Sequence, residues 1–118
     1  MSVSYPYEEY KDYSVESLLR LSSNGDAKAQ LTLGFHYFYG VNVQQSYEFS
    51  LRLFTESATQ GDAAAQNCLG DCYKRGYGVE QSYDLAFFWY LKSAEKGFAP
   101  AQRNVGYCYE KGRGVRKS

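Results

Sequence analysis

The chain has 118 residues, with 13 basic and 13 acidic side chains and no net charge. It therefore lacks the basic field that draws nucleic acid or an anionic membrane. Its length suits one domain. No apolar run approaches the ~20 residues that span a bilayer, and Met1 to Pro6 has neither the basic flank nor the apolar run of a signal peptide.

The first segment is tyrosine-rich: Tyr5-Pro6-Tyr7-Glu8-Glu9-Tyr10-Lys11-Asp12-Tyr13. We expect an irregular arm whose rings pack on the helix that follows. Tyrosines among acids also suit phosphorylation or a short docking motif. Ser14 can cap a helix running to Ser23, with Val15, Leu18 and Leu19 on one face.

From Gly25 onward the sequence repeats. Gly25, Gly61 and Gly97 open units of 36 residues, and Gly34, Gly70 and Gly106, Tyr37, Tyr73 and Tyr109, and Gly40, Gly76 and Gly112 keep the same period. A fixed period in this range predicts a solenoid of stacked helix pairs. Helix A spans Asp26 to Phe38, Asp62 to Lys74 and about Ala99 to Glu110. Asp26 and Asp62 are its caps, and Phe98 with Pro100 replaces them in the third unit. Ala29, Gln30, Leu33, Gly34 and Tyr37 recur as Ala65, Gln66, Leu69, Gly70 and Tyr73, which marks a core face. A mid-helix glycine costs ~1 kcal/mol against alanine, so three of them predict close helix approach. Gly40, Gly76 and Gly112 suit left-handed C-terminal caps, and Asn42 replaces the second loop glycine at a position expected to have positive φ. Helix B begins at Ser46 and Ser82 and runs to about Thr59 and Lys96. The chain stops at Ser118, where a third helix B should begin. Val105 and Tyr109 then lack a cover, which predicts fraying or weak self-association through that end.

Gly61-Asp62-Ala63-Ala64-Ala65-Gln66, Leu69-Gly70, Tyr73, Gly76-Tyr77-Gly78-Val79, Tyr83, Ala86, Trp89-Tyr90, Lys92 and Ala94 resemble the Sel-1-like repeat, a relative of the tetratricopeptide repeat. Unit one departs at Asn42 and Leu53-Phe54, and unit three at Phe98. The resemblance implies an all-α fold, an α/α right-handed superhelical solenoid that scaffolds protein complexes. The organisation read here is an arm and cap helix over 1–24, repeats over 25–60 and 61–96, and the first half of a third over 97–118, in a chain expected to be truncated. The buried Trp89 is expected to be a stability anchor.

The resemblance also brings a class-distinct alternative. Some cysteine-rich, secreted members have been described as penicillin-binding or β-lactamase-like, with a cysteine in each helix of a pair. Here Cys68, Cys72 and Cys108 all lie on helix A. They read as small buried thiols in a reducing compartment, which points to the cytoplasm. Ser93-Ala94-Glu95-Lys96 satisfies S-x-x-K without its companion motifs. Ser57 shares its repeat position, which marks packing. His36 is the only histidine, so no triad or histidine metal cluster can form. No catalytic residue, metal or cofactor is expected.

The expected activity is non-enzymatic binding of a protein or peptide, not of nucleic acid or a membrane. Varying helix A positions form one stripe at i, i+3, i+7 and i+10. The candidate partner-binding residues are Leu31, Phe35, Phe38, Asn67, Asp71, Lys74, Arg103 and Tyr107. The resemblance puts helix A on the concave side. Phe35 and Phe38 would anchor an apolar side chain, and Asn67 and Asp71 would pair with backbone or charge. The competing expectation is that Leu31 and Phe35 merely receive the cap helix through Leu18 and Leu19. Leu85, Phe88 and Leu91 form a second apolar patch on helix B.

Overall fold

A computed structural model describes residues 4–118. A short 3-10 turn at Glu8–Tyr10 precedes six helices: α1 (Val15–Ser23), α2 (Ala27–Tyr39), α3 (Tyr47–Thr59), α4 (Ala63–Arg75), α5 (Tyr83–Ala94) and α6 (Ala99–Lys111). No strand occurs among the described residues. The boundaries follow the expected capping chemistry. Ser14, Ser46 and Ser82 each accept a hydrogen bond from the backbone N–H three residues on, as do Asp26 and Asp62. Phe98 supplies no such cap, and Pro100 stands in the first turn of α6. Asn42 has φ +61°, beside +72° at the equivalent Gly78, as the loop pattern requires.

Each helix packs chiefly on its neighbours in the chain. The result is an all-α helical repeat solenoid. Its closest approach lies inside each pair. Phe54 of α3 covers Gly34 of α2, and Tyr90 of α5 covers Gly70 of α4. A Cβ on either glycine would stand 2.6 Å from the ring. Side chains bonded to backbone then tie the two helices of a unit together and each unit to the element before it. Ser57 and Ser93 donate to the carbonyls of Ala27 and Ala63 at 2.8 and 2.6 Å. Gln30, Gln66 and Gln102 donate to the carbonyls of Ser22, Ala58 and Ala94 at 3.2, 3.2 and 3.3 Å. The recurring glutamine thus adds a second donor to a carbonyl near the preceding helix end that already accepts from the N–H of Gly25, Gly61 or Gly97.

Several packing expectations are corrected. Trp89 is only partly buried, whereas its neighbour Tyr90 is 1 % exposed and is the anchor of α5. The cap helix α1 meets the core through Leu18 against Ala29, Leu33 and Leu53, and Leu19 points largely to solvent. Val105 packs with Tyr90 and Cys108, and the Tyr109 ring lies edge-on to Phe87 yet stays 38 % exposed, so α5 covers the two only in part. The bare position on α6 is Gly106, which has no neighbouring atom within 4 Å.

Equivalent glycines should therefore answer alanine with opposite signs. Gly70→Ala forces the buried Tyr90 ring to shift and should destabilise by about 1–3 kcal/mol. Gly106→Ala meets open space and should stabilise by about 0.5–1 kcal/mol. Tyr90→Ala should cost about 3–5 kcal/mol, more than Trp89→Ala. Urea unfolding of the four variants checks the order.

Candidate binding groove on the helix A row

Helices α2, α4 and α6 form the A row. Backbone contacts follow chain order, so successive A helices meet mainly through side chains. Between the C-terminal halves of α2 and α4 this leaves a cavity of about 290 Å3. Phe35, Phe38 and Tyr39 line it from α2, and Cys68, Asp71 and Arg75 from α4, with buried Phe54 among its walls. The aromatic wall is interlocked. Phe35 stands edge-on to Phe54, at 5.8 Å between ring centres, and Phe38 edge-on to Tyr77, at 5.0 Å. Tyr39, at 55 % exposure, and Arg75 form an open rim.

The polar side of the groove is built through the helix pair below it. Tyr90, the ring that covers Gly70, donates its hydroxyl to Asp71. Burial pushes the Asp71 carboxyl above its ordinary range, and the Tyr90 hydroxyl and the charges of Lys74 and Arg75 pull it partly back. Burial also pushes the Cys72 thiol up to about 12 and raises Cys68, so neither thiol is activated as a nucleophile.

The structure divides the expected stripe. Phe35, Phe38 and Asp71 come together in the groove. Asn67 lies in an adjoining hollow, where it accepts a hydrogen bond from Asn104 of α6 at 2.9 Å. Lys74 and Tyr107 line one small hollow farther along, at the α4–α6 seam, and Arg103 is exposed. Leu31 is corrected. It is 0 % exposed and packs with Phe54, Ala64, Leu69 and Cys72, so it belongs to the core between units. It does not receive the cap helix either. Sequence reasoning passed over Tyr39 and Arg75, although one i+4 step from Phe35 and from Asp71 reaches each.

The arm lies elsewhere than expected. Tyr10 does join the cluster around Leu18 of the cap helix, but the arm as a whole crosses the A row. The Tyr10 hydroxyl donates to Asp26 at 2.8 Å and the Tyr7 hydroxyl donates to Asp62. The Tyr5 ring sits 5.9 Å from Phe35 and 5.3 Å from His36. Ser4, Tyr5 and Pro6 line a hollow of about 200 Å3 with Phe35, Asn67, Phe98 and Pro100.

Comparison with known proteins gives this architecture its family. The Sel1 repeat model matches residues 27–62, 63–98 and 99–118. The chain belongs to the Sel1 repeat family. It is similar to a Sel1 repeat protein from Oxalobacter formigenes, with 31% identity and a TM-score of 0.90. The match covers 100% of this chain and 88% of that one. It is also similar to a protective antigen present in uropathogenic Escherichia coli strains that displays an SLR fold, with 38% identity and a TM-score of 0.88. There the match covers 91% of this chain and 23% of that one. No curated protein matches the chain. Sel1 repeat proteins are typically protein-interaction scaffolds. No helix among the described residues is long and apolar enough to cross a membrane, and no group of three or more histidine, cysteine or carboxylate side chains is placed to hold a metal.

Asp71 offers a check on the groove. Its folded pKa is raised, so its contribution to stability is present at low pH and is lost as pH rises through the folded value. Asp71→Asn removes that titration while keeping an acceptor for Tyr90. As pH rises above the ordinary aspartate value of about 4, the wild type should lose stability relative to the variant. Thermal melts across that rise read the difference.

Proposed function

We propose that this Sel1 repeat chain is a non-enzymatic scaffold that holds a protein or peptide partner on its A row, in the groove between α2 and α4. One observation carries the reading: Phe35, Phe38 and Asp71, on two different repeats, converge on one cavity with an exposed Tyr39–Arg75 rim. An aromatic floor beside a few oriented polar groups suits an apolar side chain with a polar or charged neighbour. Asn67, Lys74, Arg103 and Tyr107 extend the same surface toward α6. The three cysteines are unbridged, which fits a reducing compartment such as the cytoplasm.

The hydrolase alternative finds little support in the S-x-x-K serine. Ser93 is 0 % exposed and its hydroxyl is donated to the Ala63 carbonyl, while Lys96 donates to the carbonyl of Gly61. A second reading, weak self-association through α6, is favoured by bare Gly106 beside exposed Tyr107. Sedimentation velocity on Tyr107→Glu tests it: a concentration-dependent shift in the wild type should vanish in the variant.

The groove is tested at its rim, where substitutions spare the core. Tyr39→Ala combined with Arg75→Glu should weaken capture of a partner from lysate by about thirtyfold, the size of one lost hot spot of about 2 kcal/mol. The melting temperature should stay within a few degrees. Phe88→Glu, on α5, should leave capture unchanged. Capture that survives the rim variant and is lost in Phe88→Glu would move recognition to helix B.

A further inference from the structure

The arm shows how the A row holds an extended segment. Tyr10 sits at the start of α2 and Tyr7 at the start of α4, while Ser4 to Pro6 line one hollow with Phe35 of α2, Asn67 of α4, and Phe98 and Pro100 at the start of α6. The two phenols project together because Tyr10 N–H donates to the Tyr7 carbonyl at 3.1 Å, closing a 3-10 turn in which positions i and i+3 eclipse. Glu8 and Glu9 remain exposed. Each phenol meets an aspartate that already caps its helix. Asp26 accepts from Ala29 N–H through one oxygen and from Tyr10 through the other, and Asp62 accepts likewise from Ala65 N–H and Tyr7. The 36-residue period thus sets out two equivalent acceptors. The third helix A ends the row with Phe98, which has none.

Further contacts fit the same segment. Lys28 stands 4.9 Å from the centre of the Tyr7 ring and pairs with Glu9 at 3.3 Å. Tyr5 lies against His36, which is buried, donates from Nδ1 to the Val41 carbonyl, and has no hydrogen-bond partner at Nε2. Phe35 touches Tyr5 and also lines the open groove, so the arm's seat and the groove are one continuous surface.

We infer that the surface under the arm is a docking site for an extended segment of another protein bearing two tyrosines three residues apart with acidic residues between them. Asp26 and Asp62 read the phenols, Lys28 reads the acid, and the chain's own arm is the intramolecular competitor. The inference rests on the A row being the binding face and adds what it recognises.

A labelled synthetic peptide with the sequence of residues 4–13 is the probe, titrated by fluorescence anisotropy against the full chain. The wild type should bind it weakly because its own arm fills the seat. The full-chain variant Tyr7→Phe/Tyr10→Phe weakens that arm and should bind the peptide about tenfold more tightly, the size expected for losing hydrogen bonds to a charged acceptor. The same variant should bind a peptide with phenylalanine in place of Tyr7 and Tyr10 about tenfold more weakly. Adding Asp62→Asn, which keeps the helix cap and removes the carboxylate, should weaken the tyrosine peptide by a similar factor. Equal binding of the two peptides, no effect of Asp62→Asn, or no binding to the folded Phe variant would overturn the inference. So would a wild-type dimer that the peptide dissociates, since the occupant would then be a second copy. If the peptide fails while capture still depends on Tyr39 and Arg75, the groove stands and only this inference falls.

Discussion

The ring packed over a mid-helix glycine is the contact on which the rest of the molecule depends. Phe54 on Gly34 and Tyr90 on Gly70 let two helices approach to the thickness of one aromatic ring. A side chain at the glycine would push the pair apart, and the neighbouring contacts would open with it. The glycine weakens its own helix, but the buried ring offsets that many times over. The same tyrosine then reaches past the glycine to Asp71 and fixes one wall of the groove. The packing contact and the candidate binding surface are therefore coupled through one side chain.

The stack is also held, within and between units, by a different kind of bond. Serine hydroxyls and glutamine amides reach backbone carbonyls at helix ends, and they recur with the period of the repeat. The serines join the two helices of one unit and the glutamines join each unit to the element before it, so register is specified without direct backbone contact along the A row. The consequence is a row of helices whose facing sides are separated by side chains alone. A groove in that row is a product of the architecture, and its chemistry is set by whichever residues the repeat leaves free to vary. Here those residues put aromatic rings on α2 opposite a half-buried carboxylate and an exposed arginine on α4.

The capping aspartates serve a second purpose. A carboxylate has more acceptor capacity than one backbone N–H can use. The unused oxygen of Asp26 and of Asp62 holds a tyrosine of the arm. The hydrogen bond to Asp26 pushes the Tyr10 phenol up to about 12, so it remains a donor across the physiological range. A feature that ends helices by local chemistry thus becomes, in a repeat, a regular row of acceptors along one face.

By itself the sequence determined the period, the helix order, the caps and the paired glycines, because each depends on interactions within about one helical turn or on a register that repeats. Helix starts at Ala27, Ala63 and Ala99 were legible for that reason, and so were the left-handed position at Asn42 and the packing role of Ser57 and Ser93. The gathering of Phe35, Phe38 and Asp71 was half legible, since a single helical stripe predicts a shared face but not the partner across it. Only the tertiary structure decided which of two neighbouring aromatics is buried, Tyr90 rather than Trp89, because a helix rotation of one position separates core from surface. Leu31 went to the core for the same reason: its side faces the next unit, and the position of that unit is set by long-range packing. The arm was legible only in part, in the packing of Tyr10 on the cap-helix cluster. Its tyrosines have no periodic pattern, and their partners lie 16 and 55 residues away.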